Sequence, residues 1–350
     1  MTPTGVWRSS SGAEDTSSRS PGASGEMAPE APDVQPPTRV AHSIHPTIAA
    51  TPLPQSRRPI VRVPVWLVFL GPTVFVLLAI TVFPLVYSLA LSLHSWTMGA
   101  RAGWRWVGVQ NFAMVLRADP YFWTSVRVTL TYVGAAVGLE LVLGLAIALL
   151  LNRRADGRGG TVQTLLILPT MMTPVVVGIV WRLLYNPDLG FLNYVVTRLG
   201  LPPQHWLGDL GTALAAVVVA DIWEWTPFMA LVMLAGLRAM PRDPFEAGAI
   251  DGASGWQAFR YITLPLLTPT ILVGVLIRLM DAFKTFDLVF VLTKGGPGMS
   301  TEVLSYYTYR YGFKFFHMGY AAALSYILLA IVVIISQIFV RRLAHHEVEL

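Results

Sequence analysis

The chain has no cysteine among its 350 residues, which excludes disulfides, thiolate metal sites and a cysteine nucleophile. Charge is scarce too. Asp, Glu, Lys and Arg make up 13% against 54% hydrophobic residues, and the mean hydropathy is +0.57. A composition this apolar does not suit a soluble domain. Only three lysines occur, Lys284, Lys294 and Lys314, and none follows a glycine, so the glycine-rich phosphate loop that ends in Gly-Lys is missing. No His-Glu-x-x-His helix and no Gly-x-Ser-x-Gly elbow occurs either. We expect no catalytic residue, no metal site and no cofactor held by this chain, and we read His345-His346 as a solvent-exposed pair. The net charge of +5 comes mainly from arginines in the tail and loops, so no nucleic-acid partner is expected.

Residues 1–60 are a different material. Ten prolines and many Ser, Gly and Thr, with scarcely any aromatics, cannot bury enough surface to offset ordering entropy. No apolar core lies close to Met1, so the segment does not read as a secretory signal. The expectation is a disordered tail over 1–60 and an all-α transmembrane domain over 61–350.

A bilayer core needs about 20 helical residues. Six stretches qualify, at about 64–93, 126–151, 160–182, 212–237, 266–293 and 318–340. Arginine placement orients them. Arg57, Arg58 and Arg62 precede span one; Arg153, Arg154 and Arg158 crowd the loop after span two. Arg238, Arg242 and Arg260 lie between spans four and five, and Arg341 and Arg342 follow span six. The opposite side has Arg101, Arg105, Arg117, Arg198, Lys294, Arg310 and Lys314, spread over longer loops. The bias puts both termini and the 238–265 loop in the cytoplasm of a multi-pass membrane protein. Trp96, Trp104, Trp106, Tyr121, Phe122, Trp123 and Trp206 read as anchors at the lipid–water boundary. Gly134 and Gly138 have the spacing of a close helix contact.

Ionisable groups inside a span cost several kcal/mol unless paired or wet, and so mark a bundle interior or a solute path. Span four carries Asp221 and Glu224 beside Trp223, Trp225 and Phe228. Span five carries Arg278, Asp281, Lys284 and Asp287 at three-residue spacing. Aromatic faces beside carboxylates suit a sugar, with rings against C–H faces and acids accepting from hydroxyls. A stripe of alternating sign can equally neutralise itself. Glu140 reads as a packing or gate group.

Between spans four and five runs a polar hinge. Asp243 is placed to cap a helix starting at Pro244, with Glu246 at its third position. Asp251-Gly252 ends that helix, because glycine accepts left-handed geometry. Ser254 caps a second helix with Gln257 three residues on, and Leu264-Pro265 restricts its end. The expectation is two short helices at an angle along the membrane surface.

The hinge resembles the "EAA" loop of permease subunits of bacterial ABC importers, on Glu246-Ala247-Gly248, Asp251-Gly252-Ala253, Phe259, Ile262, Leu264-Pro265 and Pro269. Gly248 departs from the pattern, which usually has alanine there. Asp188-Leu-Gly-Phe-Leu-Asn193 resembles a recurrent outer-loop sequence of the same family. Leu292-Thr-Lys-Gly-Gly-Pro297, Thr301, Tyr306, Tyr309 and Gly319-Tyr-Ala-Ala-Ala323 resemble its carbohydrate-uptake branch, specifically the first of two permease subunits. The resemblance covers about 64–342. It implies a second, related permease, two copies of an ATPase that bind the ATP, an extracytoplasmic solute-binding protein and a carbohydrate substrate in a lipid bilayer. It assigns ATPase docking to Glu246, Ala247, Gly248, Ala249, Ile250, Asp251, Gly252 and Ala253. It assigns solute contacts to Asp221, Glu224, Trp225, Phe228, Asp281 and Thr285. The rival from another class is a proton-coupled carrier relaying through Asp221, Glu224 or Asp281, although no internal repeat of the kind such carriers show is evident.

Overall fold

The structure, a computed structural model, describes residues 65–99, 103–153 and 159–348. The expected 1–60 tail, Arg101, Arg154 and Arg158 lie outside the described residues. Among those described, the chain is helical apart from one short hairpin. Helices α1 (Val65–Leu77) and α2 (Phe83–Ser92) are joined by a π turn at Leu78–Val82. Strands β1 (His94–Ser95) and β2 (Arg105–Trp106) pair antiparallel, with His94 opposite Trp106. Then come α3 (Gln110–Ala113), α4 (Pro120–Arg153), α5 (Gly159–Ile167), α6 (Pro174–Leu184), α7 (Phe191–Arg198) and α8 (Ala213–Ala239). Next follow α9 (Asp243–Ile250), α10 (Gly255–Ala258), α11 (Leu264–Ala282), α12 (Asp287–Leu292), α13 (Leu304–Tyr309) and α14 (Met318–Val348).

Five helical stretches are long and apolar enough to cross a membrane: Phe69–Ser92, Pro120–Arg153, Ala213–Ala239, Gly255–Ala282 and Met318–Arg342. The expected third span is broken instead. α5 gives way to a tight turn at Pro169–Met171, and α6 starts at Pro174. The reason is local: each proline lacks a backbone donor, and Thr173 before Pro174 is extended, at φ −76° and ψ 143°.

Span five also differs from expectation at both ends. It begins at Gly255, inside the hinge, and stops at Ala282, leaving Asp287–Leu292 as a separate helix. Leu264-Pro265 does not end a helix, because the π turn Phe259–Thr263 precedes it and Pro265 falls in the first turn of α11. A widened turn absorbs the missing donor. At the far end Ser305 donates its hydroxyl hydrogen to the Thr285 carbonyl, and the Tyr132 hydroxyl donates to Thr285 Oγ1 at 3.2 Å. These contacts satisfy groups freed where the helix stops.

The core lies where α4, α8 and α11 meet, built on buried residues such as Tyr132, Ala136, Val217, Met229, Met233 and Leu267. The apolar stretch Phe69–Ser92 buries none of its window in the chain itself, as expected for a surface that meets lipid or a partner.

Gly134 and Gly138 do not make the expected close contact; both are exposed with open space where a Cβ would go. The tight crossing of α4 on α8 falls at Gly144, where a Cβ would sit 2.8 Å from Met229 Cβ and 2.9 Å from the Ala230 nitrogen. Backbone cannot give way as a side-chain tip can. Gly144→Val should therefore lower stability by about 1–3 kcal/mol while Gly138→Val is tolerated, read as detergent melting temperatures.

Phe122, expected at the boundary, is only 1% exposed and packs with Val115, Leu304 and Leu324. Asp119 explains its position. Asp119 Oδ1 accepts from the Tyr121 nitrogen at 3.0 Å and the Phe122 nitrogen at 3.3 Å, capping α4. Asp119 Oδ2 accepts from the hydroxyls of Tyr307 and Tyr320, each at 2.5 Å, which ties α4 to α13 and α14. The Asp188–Asn193 segment likewise has a structural role. The Asn193 amide donates to the Pro187 and Gln204 carbonyls at 2.9 and 3.0 Å, and its oxygen accepts from Trp206 Nε1 at 2.9 Å.

Candidate functional site

Two assemblies stand out, an exposed elbow at one end of the bundle and a buried charge cluster within it. In the elbow, α9 carries Pro244 in its first turn, but Asp243 does not cap it. The Arg242 carbonyl already accepts from the Phe245 and Glu246 nitrogens at 3.0 and 3.1 Å. Asp243 and Glu246 instead put negative charge in the first turn, where it complements the helix dipole. The C-terminus follows expectation. Gly252 has φ +76°, its nitrogen donates to the Ala249 carbonyl at 3.2 Å, and the Ala253 nitrogen donates to Gly248 at 2.9 Å. That pair of bonds is the Schellman motif, with glycine at its left-handed position.

Ser254 then opens α10 with a complete capping box. Its nitrogen donates to Gln257 Oε1 at 2.8 Å, and the Gln257 nitrogen donates to Ser254 Oγ at 3.4 Å. Ser254→Ala should lose about 1 kcal/mol locally, seen as roughly fivefold faster amide exchange over 255–258.

The second helix is not a separate surface helix, since α10 runs on into α11. The elbow therefore has one free arm, α9, and one arm rooted in the membrane. α9 buries no residue. Glu246, Ala247, Ala249, Ile250, Asp251 and Gly252 are exposed, while Gly248 and Ala253 are half-buried. A Cβ on Gly248 would lie 2.8 Å from Ile262 Cδ1, so glycine here lets the two arms approach. Ile250 is 87% and Trp256 70% exposed, although the Trp256 ring lies 5.5 Å from that of Phe259. Behind them lies a cleft of about 1000 Å3 lined by Leu149, Arg153, Leu237, Phe245, Trp256 and Phe259, among others.

In the buried cluster, the guanidinium of Arg278 is fully enclosed. Its Nε donates to Glu140 Oε2 at 2.7 Å and its Nη2 to Glu140 Oε1 at 3.0 Å, a two-pronged pair from α11 to α4. Nη2 also donates to Asp221 on α8, and Nη1 to Asp281 Oδ2 at 3.1 Å. The Trp225 ring faces the guanidinium at 4.7 Å. One arginine thus fastens three long helices. Of the alternating stripe expected along span five the Arg278–Asp281 step forms, at 3.1 Å, but the helix ends at Ala282 and leaves Lys284 and Asp287 beyond it.

Of the solute-contact candidates, Asp221 and Glu224 are each 1% exposed. Asp221 is committed to Arg278, and Glu224 Oε2 has no hydrogen-bond partner. Neither carboxylate is presented to a solute in this geometry, whereas the resemblance assigned both to solute contact. Asp281 keeps a 45% exposed side chain, and Trp225, Phe228 and Thr285 are half-buried. Trp225 and Phe228 meet edge to face at 6.0 Å. Sequence reasoning missed Tyr132, whose hydroxyl holds Thr285, and Thr170, whose hydroxyl donates to the Glu224 carbonyl at 2.6 Å. Pro227 signals an interrupted α8 ladder, but the carbonyl it leaves without a donor is that of Trp223, so the Thr170 contact had no local signal. In the 293–314 loop, burial pushes the Glu302 carboxyl up to about 7, against the opposing pull of Arg310 and Lys314.

Comparison with known proteins settles the family. Residues 140–345 match the family described as binding-protein-dependent transport system inner membrane component. A probable ABC transporter permease protein, y4oQ of Sinorhizobium fredii, is 41% identical over 288 residues, 82% of this chain and 92% of its own. The trehalose/maltose transport system permease protein MalF of Thermococcus litoralis is 39% identical over 67% of this chain and 79% of its own. The trehalose transport system permease protein SugA of Mycobacterium tuberculosis is 34% identical over 77% and 86%. A crystal structure of a bacterial alginate ABC transporter, in complex with a periplasmic protein bound to alginate pentasaccharide, superposes with a TM-score of 0.68 at 24% identity. It covers 78% of this chain and 92% of that one, and speaks to fold alone. The chain belongs to the inner membrane components of binding-protein-dependent transport systems, the permease subunits of ABC importers, which have no ATPase site of their own.

Proposed function

We propose that this permease moves a carbohydrate, released to it by an extracytoplasmic binding protein, and works with a second, related permease above two ATPase subunits that bind the ATP. The observation that carries the reading is the elbow. A helix with no buried residue, ended by a glycine-fixed turn and displaying Ile250 and Trp256, is built to be covered. Arginine bias puts it on the cytoplasmic side with both termini, and counting the broken α5–α6 pair as one crossing gives six spans. Docking then falls on Glu246, Ala247, Gly248, Ala249, Ile250, Asp251, Gly252 and Ala253. Broken helices are tolerated in a membrane where they border protein or a wet cavity, which suits a solute route beside α5–α6.

Carbohydrate is supported by the similarity to the trehalose/maltose and trehalose permeases and by the half-buried aromatic pair Trp225 and Phe228. Trp225, Phe228, Asp281 and Thr285 are the contacts we assign to solute; Arg278, Glu140 and Asp221 hold the helices that present them. Closure of the ATPase pair would draw α9 inward and shift the bundle between two packings.

Reconstitution tests this. Uptake of trehalose or maltose should need the partner subunits, the binding protein and ATP, with a signal at least about tenfold over a hydrolysis-deficient ATPase control. Gradient-driven uptake by this chain alone would overturn the reading and restore the proton-coupled carrier.

A further inference from the structure

A second apolar hollow lies at the other end of α4 from the elbow. Its volume is about 390 Å3, between α4 (Trp123, Val126, Leu130) and α14 (Ile327, Ile331, Ile335). Its exposed wall is entirely apolar, even though polar residues border it. Thr129 donates its hydroxyl hydrogen to the Ser125 carbonyl at 2.7 Å and accepts from the Leu304 nitrogen at 2.8 Å. Trp123 turns its indole N–H inward to the Leu116 carbonyl at 3.1 Å and offers only ring carbon to the hollow. Trp123, Leu116 and Leu130 are 56%, 43% and 49% exposed, so the hollow opens sideways on a surface that spans the bilayer.

Its rim carries charge of one sign. Arg127 lies one turn from Trp123 and Leu130 on the same face of α4, and Arg117 adjoins Leu116. Both are exposed, and neither has an ion pair or hydrogen bond among the described residues. The nearby acid, Asp119, is taken up by the α4 cap and by the Tyr307 and Tyr320 hydroxyls. From Val128 to Leu151 the only charge on α4 is Glu140, which is buried against Arg278. Arg127 therefore stands at the boundary of the hydrocarbon, about 10 Å along the helix from Pro120, at the depth of a phosphate.

We propose that this hollow binds an anionic glycerophospholipid of the leaflet opposite the elbow, with one acyl chain between α4 and α14 and its phosphate on Arg127 and Arg117. Charge complementarity selects the anionic headgroup, and the apolar wall accepts a chain but no hydrogen-bonding ligand. Occupancy of the hollow would brace α14 against the helix that carries Glu140.

The test uses the full chain, assembled with its partner subunits, in nanodiscs of equal phosphatidylglycerol and phosphatidylcholine, each lipid in turn carrying a photoactivatable acyl chain. Labelling of peptides spanning 123–130 and 327–335 by phosphatidylglycerol should exceed that by phosphatidylcholine about fivefold. The Arg117→Ala/Arg127→Ala double variant should bring the ratio near one, and Leu130→Trp, which fills the hollow, should reduce labelling by both lipids. Equal labelling of the wild type overturns the proposal, as does a photoreactive side chain at position 130 that crosslinks to the second permease in place of lipid. If the double variant fails to assemble, the wild-type ratio decides alone.

Discussion

Arg278→Ala should abolish transport and take most of the assembled protein with it. The substitution leaves Glu140 and Asp221 buried without their counter-charge, and breaking one side of a buried ion pair typically costs 3–5 kcal/mol. The expected signature is a melting temperature lowered by roughly ten degrees or a failure to purify, together with uptake at background. Arg278→Lys should fall between, because an ammonium cannot reproduce the two-pronged contact to Glu140 or lie flat against Trp225. The triple change Arg278→Met, Glu140→Gln, Asp221→Asn removes all three enclosed charges and should recover stability. If it recovers stability without uptake, the cluster contributes to transport beyond holding α4, α8 and α11 together. An Arg278→Ala protein that melts like the wild type would remove this account of the core.

Gly252→Pro should stop uptake while the protein still inserts and purifies. Proline fixes φ near −65°, whereas Gly252 sits at +76°, and proline cannot supply the donor that Gly252 gives to Ala249. The elbow would open without disturbing any buried contact, since nothing lies within 4 Å of that Cα's missing side chain. Gly252→Ala should be milder, about 1 kcal/mol against the left-handed turn. Glu246→Lys replaces an acid in the first turn of α9 with a cation facing the positive end of the helix dipole, and should also uncouple uptake. The comparison to make is ATP hydrolysis by the assembled complex with binding protein and sugar present. A variant that loses uptake yet couples hydrolysis normally, or that transports at wild-type rate, would rule out α9 as the docking arm.

The elbow was legible in the sequence because its chemistry is local. Gly252, Ser254 and Gln257 each act on backbone within a few residues, so spacing alone predicts the bonds. Asp243 failed as a cap for an equally local reason: the Arg242 carbonyl had already taken up the two donors that follow Pro244. What could not be read was anything depending on distant chain. Arg278 meets Glu140 across 138 residues and Asp221 across 57, whereas span-five spacing pointed along its own helix and so reached Asp281 alone of the three. The glycine contact was misplaced similarly. A Gly-x-x-x-Gly pair on α4 looked suited to packing, but the facing surface of α8 lies against Gly144. Spans were found by hydropathy, while their ends were set by Pro169, Pro174 and the Ser305 contact to Thr285, none of which changes an averaged hydropathy.

The helix from Gly255 to Ala282 is 28 residues, about 42 Å of unbroken rod, with the elbow turn at one tip and Arg278 four residues from the other. A shove at the elbow tip would therefore reach the charge knot as tilt of a single beam. Its soft places are the widened turn Phe259–Thr263 and the interior Pro269. Under the proposed docking, fuel use and solute release would be two readings of the same angle.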